Sequence, residues 1–213
     1  MKYYSKIPNI FKFDAERKIA GINDPFYDLM NITYIGTEKV DGTSIVVHWD
    51  GYSFEIGGHT AKSQIPSKLM DTLNNIFMQK EMEYLFEQEF GEKEVFIYGE
   101  GYGAGIQKGG GLYSQENKFI VFDITIDGFE LNRANVNDVC KKLGLESVPT
   151  VFVGNLQEAI NYVKSKPFSE VSESEKEMEG IVLSPFCDIY DRNGHRLKCK
   201  CKVRDIEQLW EKQ

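Results

Sequence analysis

Thr37-Glu38-Lys39-Val40-Asp41-Gly42-Thr43-Ser44 lies between two short apolar runs, and the reading of the whole chain turns on it. A lysine is followed two residues later by Asp-Gly, then by two hydroxyl residues. A free lysine amine has a pKa of about 10.4 and is a poor nucleophile at neutral pH until its surroundings favour the neutral form. Partial burial and neighbouring positive charge both do so. Gly42 lets the backbone approach a bound ligand closely, and Asp41 and Ser44 can orient the lysine or an anion. Lys39 is therefore a candidate nucleophile. The stretch taken alone also fits a plain turn entering a strand, so the rest of the chain has to decide.

Outward from it, residues 32–49 read as a strand, the lysine loop and a second strand, Ser44 to Trp49. Asp50-Gly51 signals a two-residue hairpin turn, and Tyr52 to Ile56 returns with alternating apolar residues. Gly57-Gly58-His59-Thr60 closes the hairpin. Upstream, Ile10 to Asp14 makes a short strand, and residues 1–30 carry no catalytic signal. Pro66 suits the first turn of a helix, and Leu69, Leu73, Ile76 and Phe77 recur at helical spacing, which predicts one helix running to about Phe90. Val95 to Tyr98 is a strand entering Gly99-Glu100-Gly101-Tyr102-Gly103-Ala104-Gly105. That spacing is neither the dinucleotide-binding fingerprint nor a P-loop. Glycines at alternate positions leave one strand face bare, open to a flat ligand or another backbone. Gly109-Gly110-Gly111 reads as a mobile loop.

Phe119 to Ile124 is a buried strand, which Asp127-Gly128 turns into Phe129 to Leu131. Two amphipathic helices follow. One spans Val136 to Leu143 and stops at Gly144; the other starts at Leu156, is capped by Asn155 and is ended by Pro167. Residues 169–179 are rich in Ser and Glu and read as a solvated loop, Glu179 excepted. Gly180 to Leu183 is a strand, and Asn193-Gly194 turns the chain into a last strand, Arg196 to Val203. There Lys198, Lys200 and Lys202 share one face, and Leu197, Cys199, Cys201 and Val203 share the other. Three like charges on one face call for an anion opposite them.

The chain has 213 residues, 41% hydrophobic and 27% charged, enough to bury a core and far from a disordered composition. Its net charge of −8 excludes a general basic coat for nucleic acid and leaves room only for a local patch. No apolar run reaches the roughly 18 residues of a membrane span, and the N-terminus lacks the apolar core of a signal peptide. The expectation is a soluble, cytoplasmic protein, of a kind a virus could encode. Its four cysteines, Cys140, Cys187, Cys199 and Cys201, are then reduced thiols. Cys187, His195, Cys199 and Cys201 fall close together, but not at the paired spacing of common structural zinc sites. No internal repeat or linker is evident, so residues 1–213 read as a single domain.

Five elements recur in a fixed order: Lys39-Val40-Asp41-Gly42, Tyr98-Gly99-Glu100, Phe119 to Asp123, Glu179-Gly180-Ile181-Val182 and Lys200-Cys201-Lys202. In that order they resemble the covalent nucleotidyltransferase superfamily of polynucleotide ligases and capping enzymes. There, Lys-x-Asp-Gly marks the lysine that carries a nucleotide on its side-chain nitrogen. Within the superfamily the chain is similar to the small phage and viral RNA ligases related to phage T4 RNA ligase 2, above all in the run from Gly99 to Gly110. The resemblance extends from about Ile10 to Asp205. It implies an α+β fold, an adenylation domain of twisted antiparallel sheets with flanking helices. This would be an ATP-grasp-like ligase core with ATP held between the sheets; many relatives add an OB or helical C-terminal domain, for which the eleven residues after Lys202 leave no room.

The resemblance also implies ATP-dependent RNA ligation. Lys39 would attack the α-phosphate of ATP and retain AMP as pyrophosphate leaves. The AMP would pass to an RNA 5′-phosphate, and a 3′-hydroxyl would displace it. The implied partners are ATP, Mg²⁺ or Mn²⁺ and RNA ends, and the implied role is RNA repair by a monomer. The alternatives are a DNA nick ligase, a capping-type nucleotidyltransferase, or a non-catalytic RNA-end-binding module that has kept the fold.

Carried over residue by residue, the resemblance makes Lys39 the nucleophile. Lys200 and Lys202 would hold the α-phosphate, stabilise its transition-state charge and ease loss of the Lys39 proton. Thr37, Glu38, Gly42 and Ser44 would bind the nucleotide, Glu38 at the adenine edge. Glu100 would bind the ribose hydroxyls. Phe119 would stack on adenine from a strand face shared with Asp123, while Phe122 would pack in the core. Glu179 would hold the divalent metal. His59 stands where relatives commonly have Arg, and Ser44 where they often have Asn. A guanidinium grips phosphate through two hydrogen bonds, so the later steps are where His59 bears on efficiency.

Overall fold

Period-2 burial and turn chemistry generate most of the observed elements in a computed structural model that describes residues 1–207. In chain order these begin with β1 (Phe11–Phe13), β2 (Ile19–Ile22), β3 (Tyr34–Glu38), β4 (Thr43–Trp49) and β5 (Phe54–Gly58). Next come α1 (Ser67–Phe77), α2 (Lys80–Phe90), β6 (Val95–Tyr102), α3 (Gly110–Tyr113), β7 (Lys118–Ile126) and β8 (Phe129–Glu130). The remainder are α4 (Arg133–Leu143), β9 (Thr150–Gly154), α5 (Leu156–Lys164), β10 (Gly180–Pro185), β11 (Cys199–Lys202) and α6 (Val203–Glu207). Two compact units result, one of Met1–Ser5 with Asp41–Val148, the other of Lys6–Val40 with the chain from Pro149 onward. No described helix is long and apolar enough to cross a membrane.

The first unit is built on an antiparallel sheet in the order β5-β4-β6-β7-β8. Ile45, Val47 and Trp49 of β4, Val95 and Ile97 of β6, and Phe119, Val121 and Ile124 of β7 turn one way. They bury against the apolar stripes of α1, α2 and α4. Val46, Phe96 and Tyr98 face the other way, where Met1, Tyr4 and Phe122 pack on them. Tyr4 Oη donates to Asp123 Oδ2 at 2.6 Å, and Tyr98 Oη donates to the Lys2 carbonyl at 3.3 Å. Residues 1–5 are thus part of this unit.

The helix expected to run to Phe90 is two helices. Phe77 and Phe86 are both fully buried, yet nine residues at 100° each put them on opposite sides of one continuous helix. The break after Phe77 re-phases the apolar stripe so that both rings reach the core. The expected two-residue turn at Asp50-Gly51 is a four-residue loop, with Trp49 paired to Phe54. Asp50 Oδ1 accepts the N–H groups of Tyr52 and Ser53 and holds the wider loop closed. Gly110 and Gly111, expected in a mobile loop, open the short helix α3.

The second unit carries an antiparallel sheet in the order β11-β10-β3-β9, and the β1-β2 hairpin. Tyr34, Ile181, Leu183, Cys199 and Cys201 lie on the face packed against Leu156, Ala159 and Val163 of α5. Asn155 caps α5 with a full capping box to Glu158, and Gly144 ends α4 in the left-handed region at φ 66°. The final strand is shorter than expected, four residues rather than Arg196 to Val203, and Val203 already opens α6. Its outer edge is covered, because Lys200 N donates to Pro8 O and Ile10 N to Lys200 O, both at 2.9 Å. Covering an edge removes a template for pairing with another chain.

Candidate active site

Cross-strand partners share a face of a sheet, and this assigns Thr37, Glu38, Lys200 and Lys202 in the second unit. Ile181 pairs with Glu38 and Cys201, and all three turn toward the core. Val182 pairs with Thr37 and Lys200, and Gly180 with Lys202, so Thr37, Lys200 and Lys202 occupy the opposite face. Lys39 follows directly on β3. Its backbone N donates to Gly180 O at 2.9 Å, which ties the lysine to the start of β10, one residue past Glu179.

Glu179 joins the two basic elements. Lys39 Nζ lies 2.5 Å from its Oε2, and Lys202 Nζ lies 2.5 Å from its Oε1. Burial by itself would push the Glu179 carboxyl up. The adjacent Lys39 charge and the hydrogen bonds from Lys202 and Lys39 overcome it and hold the group below the usual carboxylate range. Lys200 stands beside them with no carboxylate within ion-pair distance among the described residues. Burial first, then the charges of Lys202, Lys39 and Lys6, draw its ammonium below the ordinary lysine value. This face therefore gathers positive charge around a single bridging carboxylate.

Glu38 is not part of that cluster. Its side chain is only 2% exposed on the core side, where Oε1 accepts from Ser169 Oγ and Oε2 from Glu170 N at 2.8 Å. Burial raises its pKa, and the Ser169 and backbone hydrogen bonds partly offset the rise. Part of the segment expected to be a solvated loop is thereby tied down. Ser169 also accepts from the backbone N of Ser172 at 3.0 Å, which folds residues 169–172 around one hydroxyl. A serine in a Ser/Glu-rich stretch gives no sequence signal for this role.

In the first unit Gly42 and Glu100 meet. Gly42 N donates to Glu100 Oε1 at 3.1 Å, and Gln107 Nε2 donates to Gly42 O at 2.9 Å. A Cβ on Gly42 would sit 2.2 Å from Gly101 O and 2.9 Å from Glu100 Cγ, so only glycine allows this approach. Ser44 pairs with Glu100 across β4 and β6, on the sheet face of Val46 and Tyr98. His59 lies in the exposed turn just after β5.

The two phenylalanines depart from expectation. A bulge in β7 pairs Tyr98 with Asp123 but Gly99 with Val121, so alternation flips at Phe122. Phe119 and Asp123 therefore do not share a face. Phe119 is buried in the helix-covered core, edge-on to Phe77 at 5.7 Å. Its ring fills the space over Gly99, where a Cβ would lie 2.4 Å from it. The bare glycine face of β6 thus receives core side chains. Phe122 stands half-buried on the Glu100 face, edge-on to Tyr4 at 4.9 Å.

Cys199 and Cys201 are buried with their thiols pushed up by desolvation, Cys201 to about 12, and Cys187 is exposed. No group of three or more His, Cys, Asp or Glu side chains able to hold a metal gathers among the described residues. Among the described residues, Glu179 is the one carboxylate ion-paired with Lys39 and Lys202. A single carboxylate suits Mg²⁺, which keeps several waters and takes the rest of its ligands from phosphates.

A family model described as RNA ligase matches residues 32–200, most of the chain, from before β3 to the middle of β11. The chain belongs to the RNA ligase family. Among solved structures, this RNA ligase family member is similar to a Naegleria gruberi RNA ligase in several states. A mutant with ATP and Mn is 14% identical with a TM-score of 0.64, over 99% of this chain and 63% of that one. The same organism's ligase with PPi is 15% identical with a TM-score of 0.62, over 100% and 65%. An apo mutant of Naegleria gruberi RNA ligase R4a is 17% identical with a TM-score of 0.64, over 86% and 53%. At these identities the likeness is one of fold, and the chain spans between about half and two thirds of those proteins. A search of curated proteins found no match. The α+β architecture of antiparallel sheets with flanking helices is that of the family.

Proposed function

We propose that this protein is an ATP-dependent RNA ligase that works through a lysyl-AMP intermediate on Lys39 and joins RNA 5′-phosphate and 3′-hydroxyl ends. The observation that carries the reading is the Lys39–Glu179–Lys202 arrangement, with both contacts at 2.5 Å and Lys200 beside it. A nucleophilic amine, two further cations and one carboxylate converge on one sheet face. An α-phosphate needs those groups when its charge grows in the transition state. Residues 1–213 are taken as one adenylation domain, a soluble monomer of the cytoplasm.

In this reading Lys39 must first leave its ion pair with Glu179 and lose a proton, because a paired ammonium has no lone pair to offer. Its Nζ then forms a bond to the α-phosphorus as the bond from that phosphorus to the bridging oxygen breaks, and pyrophosphate departs. Lys200 and Lys202 hold the non-bridging oxygens. Glu179, released from the lysine, is the residue that would hold Mg²⁺ or Mn²⁺, which neutralises phosphate charge when bound. Glu100 and Ser44 belong to the first unit and keep the nucleotide-binding roles that the resemblance implies; Phe122, not Phe119, is the ring on their sheet face. The AMP next passes to an RNA 5′-phosphate, and a 3′-hydroxyl displaces it.

Incubation with labelled ATP and a divalent metal, followed by peptide mapping, tests this. One AMP should appear on Lys39, and Lys39→Ala should take up none. Label on another residue, or label retained by the variant, would remove Lys39 from the mechanism.

A further inference from the structure

We propose that the face of the β10–β11 ribbon carrying Phe186 and Tyr190 is a docking surface for single-stranded RNA, leading a strand toward the lysines of β11. This rests on the RNA ligase reading for the kind of nucleic acid, but on separate residues. Beyond Pro185 and before Cys199 the chain continues as a looser hairpin. Tyr190 pairs with Arg196, and Leu197 N donates to Ile189 O at 2.7 Å. Ile189 and Leu197 turn toward the core of the second unit. Alternation then puts Tyr190 and Arg196 on the opposite side, in line with Lys198 and Lys200. Phe186 follows Ser184 onto that side in the same way. Arg196 itself is largely buried there, its side chain 8% exposed, and pairs with Asp188 at 2.5 Å.

Two large rings stand open there. Phe186 is 68% exposed and Tyr190 52%, although each could have been replaced by a polar residue at no cost to the core. Tyr190 lies opposite Arg196, four residues and about 13 Å along the ribbon from Lys200. The nearby acids are already engaged. Asp188 holds Arg196, and Asp191 Oδ1 accepts the N–H groups of Asn193 at 2.8 Å and His195 at 2.9 Å. The loop's negative charge is thus spent internally, while the lysine row continues from it. Exposed aromatics followed by a cationic track make a single-strand surface, because every base has a π-face to stack and every nucleotide a phosphate to neutralise. In a protein of net charge −8 such a track is also where a polyanion can approach.

The test uses the full chain and three proteins: wild type, Phe186→Ala/Tyr190→Ala, and the conservative Phe186→Tyr/Tyr190→Phe. Anisotropy of a short fluorescein-labelled 5′-phosphorylated single-stranded RNA gives Kd without ATP. Self-adenylylation with labelled ATP is measured without RNA. The alanine pair should weaken RNA binding about tenfold or more, as loss of base–aromatic stacking requires. The conservative pair should stay within about twofold, and all three should adenylylate equally. Unchanged RNA affinity in the alanine pair would overturn the surface. So would blunt duplex RNA that binds as tightly as the single strand and is equally insensitive to the rings. Should the double variant fail to fold by circular dichroism, each single alanine variant is read against the same outcomes at about threefold. Aromatic-dependent RNA binding by a wild type that never takes up AMP would sink the proposed activity and leave this surface standing.

Discussion

Replacing Glu179 with glutamine keeps the shape of the bridge between Lys39 and Lys202 and removes its charge. Lys39, Glu179 and Lys202 retain 24%, 14% and 11% of their side-chain exposure, so their charges interact through a partly dry medium. At an effective dielectric near 20 and about 4 Å between charge centres, each attraction is worth about 4 kcal/mol. The two ammonium groups, roughly 6 Å apart across the carboxylate, repel by about 3 kcal/mol. The amide thus forfeits about 8 kcal/mol of attraction and leaves the repulsion uncompensated. Burying an amide in place of a carboxylate returns several kcal/mol, and the lysines can swing toward water. A net loss of about 3 kcal/mol remains, which for a chain of this size lowers Tm by about 6–12 °C. The pH dependence gives the sign. The Glu179 carboxyl lies below its ordinary value of 4.5 in the folded protein. Its contribution is therefore full above that value and fades as pH falls through the lowered one. Thermal melts of wild type and Glu179→Gln should differ most near pH 7 and converge in acid. Equal Tm values at pH 7, or a gap that widens on acidification, would refute the bridge as a source of stability.

Lys200→Ala and Lys202→Ala should each cut self-adenylylation by about 10²-fold or more in a labelled-ATP assay. Cys201→Ala, on the core face of the same strand, should instead lower Tm and leave the rate of the folded fraction nearly intact. Gly42→Ala must push Gly101 O or the Glu100 side chain away, at an overpacking cost of about 1–3 kcal/mol, and should lower Tm together with ATP affinity. Tm and ATP affinity unchanged in that variant would show that the Gly42–Glu100 contact is dispensable.

The parts of this fold that obey local rules could be read from the sequence. Asn155 and Gly144 mark helix ends through their own side chain or backbone freedom, and Cys199-Lys200-Cys201-Lys202 shows its buried face by alternation alone. What escaped depends on residues far apart. No local pattern shows that Phe77 and Phe86 share one core, so the helix break between them stayed hidden. The β7 bulge is fixed by pairing with β6, and it reversed the packing expected of Phe119 and Phe122, sending Phe119 into the core. Ser169 looks like any loop serine until Glu38 is placed beneath it, 131 residues away. In the candidate site, each lysine was visible singly. The convergence of Lys39 and Lys202 on Glu179 comes from strand order, which composition and periodicity do not encode.

The second unit is interrupted by the first, because the chain leaves it after Val40 and returns at Pro149. During synthesis this sets an order. The bulk of the first unit is continuous in the chain and can fold while the remainder is still being made. Lys39 emerges early but waits for Glu179, 140 residues downstream, and for Lys202 behind that. A nascent or prematurely terminated chain thus presents the amine without its carboxylate and without the cations that would steady a phosphate. The Lys39–Glu179–Lys202 arrangement is complete only when translation has passed β11.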